Sequence, residues 1–285
     1  MSFKAAAVQM CSGVDPEKNA AAMARLVREA AAQGATYVQT PEMTGMLQRD
    51  RAAARAVLAD EAHDIIVKTG SELAREFGIH MHVGSTAIAL ADGKIANRGF
   101  LFGPDGRILN RYDKIHMFDV DLDNGESWRE SAAYTAGSEA RVLSLPFAEM
   151  GFAICYDVRF PALFRAQAMA GAEVMTVPAA FTKQTGEAHW EILLRARAIE
   201  NGVFIIAAAQ AGRHEDGRET FGHSMIIDPW GTVLASAGAT GEAVIVAEID
   251  PSAVKAAHDK IPNLRNGREF SVEKIAGAVA GGVAA

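Results

Sequence analysis

The chain has 285 residues, 49% of them hydrophobic, and a formal net charge of −7, so it can bury a large core but lacks the basic surface that a nucleic-acid backbone requires. Two cysteines cannot build a disulfide framework. Small neutral or anionic metabolites remain as ligands, with neither nucleic acid nor membrane expected as a partner.

Met1–Met10 runs directly into a strand-like segment without the apolar stretch of a secretion signal, which sets the cytoplasm as the expected location. Cys11, just past this strand, reads as a core thiol. The first helix is well marked. Asp15 can cap it, Pro16 occupies its first turn, Ala20, Met23, Ala24, Val27, Ala30 and Ala31 recur on one face, and Gly34 ends it. The run 36–41 is strand-like and ends on Glu42, and a second helix spans about 61–77. His80 and His82 alternate on a strand and share a face; with no third ligand nearby, they read as inward-facing or subunit-contact histidines rather than metal ligands. Asp92-Gly93 and Asp105-Gly106 mark tight turns between strands, which excludes an all-parallel sheet. The run 108–113 is a strand that leads into Lys114.

The following loop invites a calcium reading, because Asp119, Asp121 and Asp123 stand at the first, third and fifth places of an EF-hand count and Glu130 at the last. The count fails at Asn124, where the turn needs glycine, and a strand precedes the loop where a helix belongs; a solvated acidic rim is the better account. Residues 151–155 form a buried strand ending on Cys155, and the next six residues, to Pro161, turn the chain into a helix over 161–170. A fourth helix covers 189–201. The apolar runs 173–177 and 203–209 read as strands covered on both faces. Strands alternating with helices argue a layered α/β fold. No linker divides the chain, so a single domain is expected over 1–270, followed by an Ala/Gly-rich tail, 271–285, too short for the ~20 apolar residues of a membrane helix.

Three of these strands end on chemistry. In open α/β folds the ligand crevice lies at the carboxyl ends of the strands, so Glu42, Lys114 and Cys155 converge there as a base, a cation for a developing oxyanion and a nucleophile. The N-terminus of the helix after Cys155 is expected to lower the thiol pKa.

On these motifs, Pro41-Glu42, Tyr112-Asp113-Lys114-Ile115-His116 and Cys155-Tyr156-Asp157-Val158-Arg159-Phe160-Pro161, the chain resembles the nitrilase superfamily of carbon–nitrogen hydrolases from about Phe3 to about Phe270. The runs 188–201 and 222–231 look most like its Nit branch, which contains omega-amidases and deaminated glutathione amidases. The resemblance implies a Glu42–Lys114–Cys155 triad, with Glu130 rather than nearby Glu126 as a second glutamate beside the lysine. It also implies an α-β-β-α sandwich of mixed sheets, paired into a homodimer or higher homo-oligomer, and catalysis without metal or organic cofactor. His189 and His223 are not needed as partners for the thiol, since a glutamate base already fits.

For substrate, Arg159 can grip a carboxylate with two parallel hydrogen bonds, unless it is spent in a structural ion pair with Asp157 or Glu173. Phe181 and Thr185, after an apolar strand, reach the same crevice, and the Tyr156 backbone N–H faces the oxyanion. The leading expectation is an amidase acting through a thioester on a small carboxylate-bearing metabolite of the deaminated glutathione or 2-oxoglutaramate type. A nitrilase and an N-carbamoyl amino-acid amidohydrolase are the enzymatic alternatives, and a catalytically silent binding module is the non-enzymatic one.

Overall fold

The computed structural model describes residues 1–121, 125 and 127–275. Its first sheet is built from β1 (Phe3–Gln9), β2 (Tyr37–Gln39), β3 (His80–Ala89), β4 (Ile95–Phe102) and β5 (Ile108–Asp113), closed at one edge by the last strand, Ala243–Ile249. Two short strands, β6 (Asp119–Asp121) and β7 (Ser127–Arg129), pair as a separate ribbon. The second sheet is formed by β8 (Val142–Ser144), β9 (Glu149–Phe152), β10 (Val174–Thr176), β11 (Phe204–Ala207), β14 (Met225–Ile227) and β15 (Val233–Ser236), with the small pair β12 (Ala211–Arg213) and β13 (Glu219–Phe221) alongside; the closing strand of the first sheet is β16. Both six-stranded sheets are mixed. The first runs β16-β1-β2-β3-β4-β5, with β1, β2 and β3 parallel, and the second runs β15-β14-β11-β10-β9-β8, with β9, β10 and β11 parallel.

Alternation along β1 shows how the layers form. Ala5 and Ala7 face the core that also holds Phe152, Ile205 and Ile227 of the second sheet, whereas Ala6 and Val8 face the helices α1 (Pro16–Ala32) and α3 (Ile65–Phe77). The small alanines let the two sheets approach, and the larger apolar groups come from the second sheet. On its outer face that sheet carries α4 (Pro161–Met169) and α5 (Lys183–Asn201), with Trp190 and Phe164 fully buried. Burial of each such side chain contributes on the order of 2–3 kcal/mol. The order helix, sheet, sheet, helix is the expected four-layer sandwich.

Helix α1 starts and ends as its sequence signals dictate: the Asp15 carboxylate accepts from the backbone N–H of Glu17 and Lys18, and Gly34 turns left-handed at φ 83°. Three boundaries depart from expectation. Helix α3 begins at Ile65, because the Asp64 carboxylate caps Ile66 and Val67. A short helix, α2 (Arg51–Val57), precedes it; it buries no residue, so no apolar face announces it. Helix α5 starts six residues before His189, at Lys183, with Gly186 in its first turn where a Cβ would stand 2.3 Å from the Phe221 ring. Helix α6 (Ser252–Lys260) follows β16. Residues 271–275 of the tail are exposed and without regular structure, and the rest of the tail lies outside the described residues. Among the described residues no helix is long and apolar enough to cross a membrane.

Candidate active site

Strands β2 and β5 of the first sheet and β9 and β10 of the second all deliver their following residues to one cavity of about 820 Å³. Glu42 follows β2, Lys114 follows β5 directly, Cys155 follows β9, and Ala180 follows β10. All three reactive side chains are buried and line that cavity.

Glu42 is the hub. Its Oε1 accepts from Lys114 Nζ at 2.9 Å and from Asn97 Nδ2 at 2.9 Å, and its Oε2 accepts from the Ala180 N–H at 2.8 Å. The Cys155 thiol is the electrostatic neighbour of this carboxylate, each shifting the pKa of the other. On its far side Lys114 Nζ reaches both oxygens of Glu130, at 3.0 and 2.8 Å, and Glu130 Oε2 also accepts the Phe118 N–H at 2.7 Å. Asn97 Nδ2 spans the two glutamates, since it also reaches Glu130 Oε1 at 3.2 Å. Gln210 fixes Glu42 from behind through a hydrogen bond to its backbone carbonyl at 3.1 Å.

The charges follow from this geometry. Burial pushes the Glu42 carboxyl up, but the Lys114 charge, the Cys155 thiol beside it and hydrogen bonds from Lys114 and Ala180 outweigh it and hold the group below the usual carboxylate range. Burial pushes Lys114 down, and Glu130 and Glu42 more than restore it, leaving the ammonium firmly charged. Burial, then the Glu42 charge, pushes the Cys155 thiol up. The expectation of a depressed thiol pKa is therefore overturned. Cys155 opens a tight turn over Cys155–Arg159, and α4 begins only at Pro161, so burial and the neighbouring carboxylate dominate any helix-end effect. The resting site is a thiol beside a carboxylate base, with a cation bound to that base.

The turn itself is held by Asp157, a residue not anticipated as part of the site. Its fully buried carboxylate accepts from the Ile154 N–H at 2.9 Å, the Tyr112 hydroxyl at 2.8 Å, and the N–H and Nδ1 of His116 at 2.9 and 2.7 Å. It ties the strand before Lys114 and the residues after it to the strand that delivers Cys155. Cys155 adopts φ 50° and Met43, next to Glu42, φ 53°, left-handed conformations uncommon for side-chain-bearing residues.

Of the expected substrate residues, Tyr156, Phe181 and Thr185 line the cavity, and Thr185 Oγ1 pairs with Thr182 Oγ1 at 2.8 Å. Arg159 is half-buried behind them, its guanidinium over the Phe181 and Tyr156 rings at 5.2 and 5.9 Å and its Nη1 donating to His189 Nδ1 at 3.3 Å. Neither alternative partner holds it. Asp157 is occupied as above, and Glu173 Oε2 accepts the Glu149 N–H.

The remaining candidates have local roles. His223 Nδ1 donates to the Phe221 carbonyl. His82 is buried against Phe152 and bonded to the Tyr37 hydroxyl at 2.8 Å, its pKa pushed down to about 3 by burial, while His80 stacks edgewise on Phe147. In the acidic loop, Asp119 accepts from Ser131 and Asp121 pairs with Arg129, which leaves these carboxylates engaged by protein donors; Asp123, Asn124 and Glu126 lie outside the described residues. Cys11 is exposed rather than in the core, because β1 ends at Gln9 and the chain leaves the sheet before the thiol.

A model of the carbon-nitrogen hydrolase family matches residues 4–259. The chain belongs to the carbon–nitrogen hydrolase family. It is 40% identical over 271 residues to the deaminated glutathione amidase of Yersinia enterocolitica, covering 93% of each chain. Among solved structures it matches the C. elegans NitFhit protein with a TM-score of 0.86 and 33% identity, over 94% of this chain and 65% of that longer one. Nit3 of Saccharomyces cerevisiae, described as a member of branch 10 of the nitrilase superfamily, matches with a TM-score of 0.82 and 28% identity over 92% and 94% of the two chains. These Nit-type neighbours agree with the resemblance read from residues 188–201 and 222–231.

Proposed function

We propose that the protein is a cysteine-dependent amidase that cleaves the C–N bond of a small, carboxylate-bearing amide through a thioester, of the type its deaminated glutathione amidase relatives are named for. The observation that carries this reading is the single Glu42 carboxylate shared by the Cys155 thiol and the Lys114 ammonium at the wall of one cavity. Glu42, ionised at neutral pH, takes the thiol proton as sulfur attacks the amide carbonyl. The negative charge that develops on oxygen meets Lys114 and the Tyr156 backbone N–H. An ammonium has three donors. The Lys114 contacts run to Glu42 and to both oxygens of Glu130, so the substrate oxygen takes one donor by releasing one limb of the Glu130 contact.

Collapse of the tetrahedral adduct breaks the C–N bond, and Glu42 returns its proton to the leaving amine. Water, deprotonated by the same carboxylate, then attacks the thioester; the acid leaves, and sulfur recovers its proton from Glu42. Asn97 and Glu130 keep Lys114 charged and Glu42 oriented throughout. Arg159, its guanidinium unclaimed by carboxylates among the described residues, suits the acid group on the acyl side. A cytoplasmic, reducing setting suits a catalytic thiol. Pairing of subunits through α5 suits its outer face, where Ile192 and Ile199 are exposed and Ile199 lies beside Gly231, which follows the exposed Trp230 in the chain.

The test is a turnover screen of deaminated glutathione, 2-oxoglutaramate, N-carbamoyl amino acids and short nitriles, read with intact-mass spectrometry of the enzyme during turnover. The two amides should be hydrolysed, with an acyl adduct on Cys155 that is absent in Cys155→Ala. Turnover confined to nitriles or carbamoyl acids, or undiminished turnover by a folded Cys155→Ala, would sink the reading.

A further inference from the structure

The cavity is markedly basic for a chain of net charge −7. Among the described residues its walls carry, besides Lys114, Arg49, Arg51, Arg55, Arg129 and Arg218, against the carboxylates of Glu42 and Glu130. The latter two are already neutralised in part by Lys114. Two of the arginines are arranged as a pair. The Arg218 guanidinium lies 4.6 Å, and that of Arg49 5.1 Å, from the centre of the same Trp128 ring. Arg218 is largely buried, meets Asp216 at 3.4 Å through one Nη, and leaves its Nε buried without an acceptor. Arg49 is exposed and has no carboxylate at ion-pair distance among the described residues. Among the described residues Asp216 balances one charge, which leaves the pair net positive, with the buried Arg218 Nε still to be satisfied. Two guanidinium groups on one indole repel each other, and an anion between them would remove the repulsion and supply the missing acceptor.

We propose that Arg218 and Arg49, held on Trp128, form a second carboxylate-binding subsite, which takes an acid group on the amine side of the scissile amide. The proposal rests on the amidase reading above and narrows it to substrates with an acid at each end. The two subsites are distinct: Arg159 sits on Tyr156 and Phe181, whereas Arg218 sits on Trp128, and the Phe118 ring stands between, 5.1 Å from Tyr156 and 6.5 Å from Trp128. Position assigns the sides. Arg159 closes the turn that opens with Cys155, which receives the acyl group, whereas Arg218 and Arg49 stand on Trp128, across the Phe118 ring, on the side left to the amine. The cavity, about 820 Å³, is walled by Arg49, Trp128 and Arg218 at one part and by Tyr156 and Phe181, the rings on which Arg159 lies, at another.

The experiment compares deaminated glutathione, which has a carboxylate on its amine side, with its glycine methyl ester, identical but for that one charge. In the intact protein kcat/KM should fall about tenfold or more from acid to ester, mostly through KM, as expected for loss of a charge-assisted pair. In Arg49→Gln, an exposed change that leaves the core untouched, and in Arg218→Lys, which keeps a cation beside Asp216 but loses Nε, the acid-to-ester ratio should collapse toward one. A wild type that treats acid and ester alike, or a ratio that survives in both variants, overturns the subsite while leaving the amidase intact. If neither compound is turned over, the amidase reading fails instead. Calorimetric binding of acid and ester to Cys155→Ala then decides the subsite alone: equal affinities overturn it, and an acid preference abolished by Arg49→Gln supports it.

Discussion

Replacing Asp157 by asparagine should uncouple the nucleophile's turn from the strand that carries Lys114. Each carboxylate oxygen accepts two donors: Oδ1 from the His116 backbone and ring, Oδ2 from Tyr112 and the Ile154 backbone. An asparagine presents one acceptor oxygen and one NH2 group, so one of these pairs must face a donor. The Tyr112 hydroxyl can rotate to accept, and the His116 ring can change tautomer. The backbone N–H of Ile154 or of His116 cannot do either. At least one buried N–H is therefore stranded, and the bonds that survive lose the charge of their acceptor. Stranding costs about 1–3 kcal/mol, and the weakened bonds add about 1 kcal/mol each, for a total of about 3–5 kcal/mol. With an unfolding entropy of about 2.1 cal/mol/K per residue, that lowers the melting temperature by about 5–8 °C for a chain of this length. Scanning calorimetry reads the stability, and kcat should fall at least about tenfold because Cys155 is the residue after Ile154. Tyr112→Phe removes one donor and leaves three, so it should cost clearly less. An Asp157→Asn variant within about 2 °C of wild type and with undiminished kcat would refute the clamp.

The remaining predictions concern pH, packing, recognition and assembly. Because Glu42 is held below the usual carboxylate range and the Cys155 thiol above its usual value, kcat/KM should stay level across neutral pH, falling in acid only below the ordinary carboxylate pKa and in alkali only above that of a free thiol. The same depressed pKa means that the ionised Glu42 stabilises the fold above its unfolded pKa, and that this stability is lost as pH falls through the folded value; the melting-temperature gap between wild type and Glu42→Gln should narrow as the solution is acidified, and a gap independent of pH would contradict it. Gly84→Ala would put a Cβ 2.1 Å from the Thr40 carbonyl oxygen and 2.4 Å from Pro178, forcing apart the loops that carry Glu42 and Ala180; a loss of about 3 kcal/mol together with reduced kcat is expected, and a stable, fully active variant would count against this packing. Arg159→Lys should cost roughly tenfold to a hundredfold in kcat/KM on a carboxylate substrate, nearly as much as Arg159→Ala, whereas equal losses on neutral amides would assign the residue to packing. Light scattering after size exclusion should find at least a dimer that Ile199→Glu weakens; a wild-type monomer at micromolar concentration would end that expectation.

Glu42, Lys114 and Cys155 were legible because each interrupts the end of an apolar strand with a group that a core would not choose. The layered fold was legible for a related reason: capped helices such as α1, and turns such as Asp92-Gly93, punctuate the chain at regular intervals. Asn97 and Asp157 were not legible. Asn97 sits within β4, where a polar residue looks like one solvated position of an edge, and only the tertiary fold shows that it spans two glutamates. In the sequence Asp157 reads as an ion-pair partner for Arg159, yet three of its four donors arrive from β5 and the residues after it, some forty positions away. The thiol was misjudged because its nearest sequence neighbour, a helix start, is electrostatically weaker than burial and Glu42, neither of which is local in the chain.

The candidate site is divided between two sheets that share no strand. Glu42 and Lys114 hang from one, Cys155 and Ala180 from the other, and what joins them across the seam is apolar contact plus a few hydrogen bonds such as those to Asp157. Each sheet is stitched internally by directional bonds, whereas a layer of methyl and aromatic groups resists sliding only weakly. The chemistry thus serves as a vernier for the alignment of the two slabs: a slip of about an ångström, too small to disturb either hydrogen-bond ladder, already separates base from nucleophile. Under mild denaturant the protein should fall silent while its circular dichroism still reports intact strands and helices.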